Sequence, residues 1–304
     1  MTPVSGENSP KRFLIVDGHA YAYRAFYAIR QLNSPSGKAT NAIYGFIKML
    51  AKMQAQLQPT HQLIVWDGGL AEERMTLLPE YKAQRPEMPS GLEQQLDEII
   101  AYLRAAGITS WCESGVEADD FIATAAKKAL AVGIPVVIAS ADKDFMQLVS
   151  PQISLFNPND KSETLWSDVQ VREKSGVEPA QIVDWLSLIG DSVDNIPGVS
   201  GVGPKTATDL LRQFGSLEEI YRRLDEIKSD RLRASLQAAG ELVWRNRKLI
   251  CLRDDLRCDF ELENFAVKPA KVDELRGLFT GWGFKTLLHE LDKRHSQQTD
   301  LFNL

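Results

Sequence analysis

Three short apolar runs, each leading into an acidic residue, constrain this chain more than any other feature. Arg12-Phe13-Leu14-Ile15-Val16 ends at Asp17, and Gln62-Leu63-Ile64-Val65-Trp66 ends at Asp67. Pro135-Val136-Val137-Ile138-Ala139 leads into Asp142 and Asp144. Rich in Val and Ile and without polar alternation, such runs read as strands buried on both faces of a parallel sheet. Helical periodicities lie at 41–57, 92–105 and 118–131. Strand and helix alternating at this spacing predict an α/β fold, a largely parallel central sheet flanked by helices, over residues 12–166. Beyond about residue 167 strand signals fade. Helical patterns follow at 179–189, 204–214, 231–252, 271–281 and 285–295, so an all-helical region is expected over 167–295, ahead of a flexible tail at 296–304. Residues 68–90 carry Gly, Pro and charge without a strong apolar period and read as a mobile crossing segment outside the core.

Composition narrows the class. In 304 residues, 44% are hydrophobic and 25% charged, which fits a soluble globular chain and excludes wholesale disorder. No apolar run has the length of a membrane span, and residues 1–11 hold no signal-peptide core, so a cytoplasmic protein is expected. Cys112, Cys251 and Cys258 form no C-x-x-C, which points to a reducing compartment and away from cysteine-held zinc. The net charge of −6 excludes a histone-like coating protein.

The acids are placed where ligands bind. Asp17, Asp67 and the Asp142/Asp144 pair fall at or just beyond strand ends, on the rim where open α/β sheets take their ligands. Glu117, Asp119 and Asp120 open a helix, and Asp191 and Asp194 lie three apart in a loop. Nine such carboxylates in one place repel one another unless cations neutralise them. An oxygen-only donor set without Cys or His favours Mg2+ or Mn2+ over zinc, and two such ions are the usual device for phosphoryl chemistry. Singly, an Asp after a strand is more often a turn former or helix cap, and Glu117 to Asp120 alone read equally as a capped helix start. An aspartyl-phosphate phosphatase would want D-x-D after the first strand, and Asp17-Gly18-His19 lacks it.

The second signal is Pro197-Gly198-Val199-Ser200-Gly201-Val202-Gly203-Pro204-Lys205-Thr206, an apolar-Gly-apolar-Gly turn between two helices with Pro near the start of the second. Glycines allow close approach to a phosphate, and the N–H groups of a helix start bind it without reading sequence. Gly198, Gly201, Gly203, Lys205 and Thr206 are the candidate contacts of this helix-hairpin-helix. Between residues 201 and 253 there are 11 Lys and Arg against 7 Asp and Glu, a local excess suited to a salt-sensitive grip on a duplex. Arg74, Tyr81, Lys82 and Arg85 lie in the crossing segment, and Arg24 just past the first acid. Cations above an acidic rim can steady charge on a phosphate, and Tyr81 can stack on a base; taken alone they also read as solvated loop charges.

In order along the chain, Val16-Asp17-Gly18, Tyr23-Arg24-Ala25-Phe26, Trp66-Asp67, Tyr81-Lys82-x-x-Arg85-Pro86, Gly115-Val116-Glu117-Ala118-Asp119-Asp120, Asp142-Lys143-Asp144 and Asp191-x-x-Asp194-Asn195-Ile196-Pro197-Gly198 resemble the 5′→3′ exonuclease domain of bacterial DNA polymerase I and the wider flap endonuclease family. The resemblance implies a PIN/resolvase-like nuclease core with a helical arch at about 70–92 and a helix-hairpin-helix at about 186–215. It implies a structure-selective nuclease acting on 5′ ends and flaps of branched or nicked DNA, in primer removal and repair. One ion would be held by Asp17, Asp67, Glu117 and Asp119. The other would take Asp119 or Asp120, Asp142, Asp144 and the Asp191/Asp194 pair. Lys82 and Arg85 match basic residues of the arch, and Arg24 a phosphate-contacting arginine. Metal-activated water would attack in line, leaving 5′-phosphate and 3′-hydroxyl ends. Family members often bind potassium in the hairpin turn, here near Val199, Ser200 and Val202. The tail Gln298-Thr299-Asp300-Leu301-Phe302 looks like a peptide that docks onto the bacterial sliding clamp. A monomeric, stand-alone, nucleoid-associated bacterial protein is expected. The chain departs from the pattern at Glu73-Arg74, where Phe-Arg is usual, and at Val193, where a small polar residue is common.

Overall fold

The structure, a computed structural model, describes residues 11–157, 164–258 and 260–302, with side chains throughout except at Arg294 and 296–302. The strands are β1 (Phe13–Asp17), β2 (His61–Val65), β3 (Thr109–Trp111), β4 (Val136–Ala139), β5 (Ile153–Phe156), β6 (Leu165–Trp166), β7 (Gly190–Asp191) and β8 (Ile196–Pro197). The helices begin with α1 (Gly18–Ala28), α2 (Asn41–Leu57), α3 (Glu72–Leu77), α4 (Ser90–Ala105), α5 (Ala118–Ala131), α6 (Asp168–Ser175) and α7 (Ile182–Ile189). They continue with α8 (Pro204–Phe214), α9 (Leu217–Arg222), α10 (Asp230–Ala238), α11 (Gly240–Ile250), α12 (Val272–Trp282) and α13 (Lys285–Phe302). Among the described residues no helix is long and apolar enough to cross a membrane. Two compact units interleave along the chain. One is drawn from Met1–Trp66, Met88–Trp111 and Asp259–Leu304, the other from Asp67–Glu87 and Cys112–Cys258.

In the first unit β1 pairs with β2 and β2 with β3, all parallel, in register Val16↔Ile64 and Leu63↔Thr109. All five residues of β1 are buried, which is why its sequence shows no alternation. Asp17 ends that strand and caps α1, its carboxylate accepting from Ala20 N at 3.0 Å. Helices α1 and α2 pack together, and α4 closes the N-terminus of α2 from the side. Gln95 does this closing: its Oε1 accepts from Ala42 N and Ile43 N, and its Nε2 donates to Asn41 Oδ1. Asn41 in turn donates to Phe26 O and Ile29 O, tying down the end of α1. Donors that a helix start leaves open are thus satisfied from within the fold.

In the second unit β4 and β5 are parallel and β6 is antiparallel to β5. Helix α5 lies on β4, and α7 packs against both α8 and α11. A two-residue ribbon, β7 with β8, crosses just before the helical turn, in register Asp191↔Ile196. Its tightness requires glycine: a Cβ on Gly198 would sit 2.2 Å from Ile189 O, and one on Gly190 2.4 Å from Gly198 N.

Several expectations are corrected. Residues 68–90 are no loose crossing: α3 forms there, and Ala71, Arg74, Leu78, Tyr81 and Lys82 are buried, their charges paired inside the unit. The single helix expected over 231–252 breaks into α10 and α11, because Ala239 leaves helical geometry (φ −97°, ψ 12°) just before Gly240, a poor helix former. Elements β3, β5, β6, α6 and α9 escaped the periodicity because they are short, and α1, 11 residues long, was missed as well. The backbone of α13 continues as helix through 296–302, where a flexible tail was expected; the side chains of Gln298, Asp300, Leu301 and Phe302 lie outside the described residues.

Candidate metal centre and its basic segment

Chain turns at the ends of short elements deliver the acids of the second unit. Just beyond β4, Asp142 accepts from Asp144 N at 2.9 Å, opening a 3-10 turn that carries Asp144. Asp191 ends β7 and accepts from Val193 N at 3.0 Å; Asp194 follows in the same loop. One carboxylate oxygen from each of Asp144, Asp191 and Asp194 lies within 4.8 Å of the others. The Oδ1 of Asp144 is buried and has no hydrogen-bond partner. Such an orphan acceptor is expensive to bury, and a hard cation satisfies it. The donor set therefore fits a divalent ion of the Mg2+ type. Asp67 opens this unit, its Oδ1 accepting from Gly69 N at 3.2 Å. Asp17 and Arg24 belong to the first unit, Arg24 on the exposed side of α1.

Glu117, at the start of α5 and 1% exposed, is surrounded by donors from the segment before β3. Lys82 Nζ lies 2.5 Å from its Oε2, Tyr81 donates its hydroxyl to the same oxygen at 3.1 Å, and Ala71 N reaches Oε1 at 3.1 Å. Arg74 Nη1 is 3.2 Å from Oε1. Lys82 also comes within 3.8 Å of Asp194, which Arg85 grips at 2.8 Å, while Lys143 pairs with Asp191 at 3.1 Å. Arg74 makes a two-pronged bond to Asp120 at 2.7 and 2.8 Å and donates its Nε to Leu249 O. Asp120 accepts Arg253 N as well, so both of its oxygens are engaged. Asp119, by contrast, is the acid whose charge bears on Lys82 and Arg85.

Electrostatics follow from this crowding. Burial, then the charges of Asp194 and Asp191, raises the Asp142 carboxyl above the ordinary aspartate range despite the Asp144 N–H. Burial, then Asp142, Asp191 and Asp194, raises Asp144 well above it. Burial alone would also raise Glu117, but Lys82, Arg74 and the Ala71 N–H hold it below its usual value. Burial works against the Lys82 ammonium, yet the facing groups of Tyr81, Asp119, Glu117 and Asp194 raise its pKa overall, so it stays charged. Burial keeps Tyr81 a neutral phenol. Two sequence expectations shift. Arg74 and Tyr81, placed among possible DNA contacts, are 5% and 4% exposed and spend their polar groups on Glu117 and Asp120. The departure at Glu73 is harmless here, since Glu73 points outward to Arg253 and leaves Arg74 to fill the interior. Lys143, paired with Asp191, is a functional candidate that sequence reasoning misses; its place between the two acids of Asp142-Lys143-Asp144 is the available signal.

The helical turn takes the predicted form. Val199 N donates to Leu188 O and Val202 N to Val199 O, with both valine side chains buried. Pro204 stands in the first turn of α8, and Trp185 Nε1 bonds Pro204 O and Thr208 Oγ1 across the two helices. Gly201, at φ +78°, has open space where a Cβ would be, as does Gly203, and Lys205 is exposed beside them.

A family model described as the 5′-3′ exonuclease N-terminal resolvase-like domain matches residues 12–176, and one described as the 5′-3′ exonuclease C-terminal SAM fold matches 177–273. The chain is 37% identical over 294 residues to a 5′-3′ exonuclease of Aquifex aeolicus strain VF5, covering 96% of this chain and 100% of that protein. It is 37% identical over 294 residues to DNA polymerase I of Bacillus caldotenax, covering 95% of this chain but 33% of the polymerase, so it spans about a third of that relative. Among solved structures it is similar to T5 5′-exonuclease with bound zinc ions, at a TM-score of 0.67 and 26% identity, over 80% of this chain and 90% of that one. With both family models matched in order and the resolvase-like fold and helical region both in place, the chain belongs to the 5′-3′ exonuclease family: it is a nuclease, a hydrolase of phosphodiester bonds.

Proposed function

We propose that this nuclease trims 5′ ends and 5′ flaps from branched or nicked double-stranded DNA with two divalent ions, Mg2+ foremost with Mn2+ able to substitute, in primer removal and repair. The observation that carries the reading is the meeting of Asp144, Asp191 and Asp194 within 4.8 Å around an unpartnered buried oxygen. Asp142, Asp119 and Glu117 share their electrostatic surroundings and would complete the ligands of the second unit. Asp17 and Asp67 enter on their sequence motifs. When bound, such ions supply an activated water and neutralise charge on the phosphodiester. The chain's own cations do the rest: Lys82, Arg85 and Arg24 donate to phosphate oxygens as charge builds on them. Gly201, Gly203, Lys205 and Thr206 hold the duplex backbone without reading bases. A potassium ion at the carbonyls of Val199, Ser200 and Val202, and docking of Gln298–Phe302 on the sliding clamp, extend this reading from the sequence resemblance.

A 5′-labelled flap substrate tests it. Cleavage is expected with Mg2+ and lost with EDTA, leaving 5′-phosphate and 3′-hydroxyl ends. Asp144→Asn is expected to abolish cleavage while retaining duplex binding. Duplex binding by the parent chain without Mg2+-dependent cleavage would overturn the proposal.

A further inference from the structure

The segment that carries Lys82 and Arg85 is held down by the same oxygens that the ions are proposed to need. Lys82 Nζ and the Tyr81 hydroxyl both end on Glu117 Oε2, at 2.5 and 3.1 Å. Arg85 ends on Asp194 Oδ1 at 2.8 Å, Lys82 Nζ lies 3.8 Å from Asp194 Oδ2, and Lys82 N donates to Asp194 O at 3.1 Å. Among the described residues, every hydrogen bond that joins 79–87 to the rest of the unit ends on Glu117 or Asp194; the others close turns within 74–85. Lys82 is buried with φ at +56°, a left-handed conformation that a lysine adopts only when its surroundings impose it.

We infer that ion binding and docking of residues 79–87 exclude one another: the Lys82 ammonium and the Arg85 guanidinium serve as resident counter-cations of Glu117 and Asp194, and the divalent ions displace them and free the segment. Divalent charge takes the place of the two monovalent charges on the same carboxylates, so Glu117 and Asp194 face a cation throughout. Displacement also relieves the backbone strain at Lys82 and presents both cations to a phosphate only once the ions are in place. Because such coupling is reciprocal, a docked segment weakens ion binding by the factor that an ion weakens docking. The inference rests on Glu117 and Asp194 being ion ligands.

Isothermal titration of the full chain with Mg2+, set beside hydrogen exchange with and without Mg2+, tests it. Lys82→Met and the more exposed Arg85→Gln are each expected to bind Mg2+ tighter, by roughly fivefold or more for Lys82→Met. In the parent, amides of 79–87 are expected to exchange faster when Mg2+ is bound. Unchanged or weaker binding in both variants, or exchange indifferent to Mg2+, overturns the coupling. Glu117→Gln separates the two levels. If it abolishes Mg2+ binding while the lysine and arginine variants match the parent, only the coupling falls; if no variant nor the parent binds Mg2+, the metal reading falls with it.

Discussion

At Asp144 the cost of gathering acids is most visible. Its carboxyl is raised because burial and three neighbouring aspartates disfavour the anion. A carboxyl whose folded pKa lies above its unfolded value contributes stability below the unfolded pKa, and that contribution is lost as pH rises through the folded one. The metal-free protein therefore carries a penalty at pH 7 that it does not carry near pH 3.5. Asp144→Asn, neutral at every pH, should melt several degrees above the parent at pH 7 in EDTA and level with it near pH 3.5. Thermal melts across that range check this, and equal melting temperatures at pH 7 would remove the claim. Glu117 is the opposite case, an anion kept below its usual range by Lys82 and Arg74 once burial has been overcome.

Elements are joined by single side chains in this protein, and Arg74 is the chief example. From α3 it reaches Asp120 and Glu117 on and before α5, and Leu249 O and Cys251 O at the end of α11. Removing one partner of a buried ion pair leaves the other charge stranded, at a cost of about 3–5 kcal/mol. Arg74→Met should lower stability by about that amount, measured by urea denaturation in EDTA. A loss below about 1 kcal/mol, the range of an exposed ion pair, would mean that Arg74 does not hold these elements together. The same logic explains α3 itself. Six residues are too few for a stable isolated helix, and it persists because tertiary contacts fix it.

For the whole molecule, ions that bind only the folded state must stabilise it. At a Mg2+ concentration about 100 times its dissociation constant the gain is about 2.7 kcal/mol, or roughly 4 °C in melting temperature for a chain of 304 residues. The shift should vanish with EDTA and shrink in Asp144→Asn. A melting temperature indifferent to Mg2+ would show that the carboxylate cluster holds no ion in solution.

The strands ending at Asp17, Val65 and Ala139, the helices 41–57 and 118–131, and the glycine-rich turn before α8 were all legible in the sequence to within a residue or so. Each is written in local periodicity or turn chemistry, over a window about as long as the element it makes. So were Asp144, Asp191 and Asp194, the acids that meet in the structure, because strand ends and turns are local features too. Their partners were not. Lys82 meets Glu117 across 35 positions, Arg74 meets Asp120 across 46, and Arg74 meets Leu249 across 175. A stretch that looks solvated, with Arg74, Tyr81 and Lys82 in it, is buried only because acids from distant positions wait to receive it. Sequence alone determined which residues could bear metal chemistry, since side-chain type and local geometry do not depend on the rest of the chain. Tertiary structure decided which of those charges are neutralised and by what, since a buried charge is stable only beside an opposite one, and only folding brings the two together.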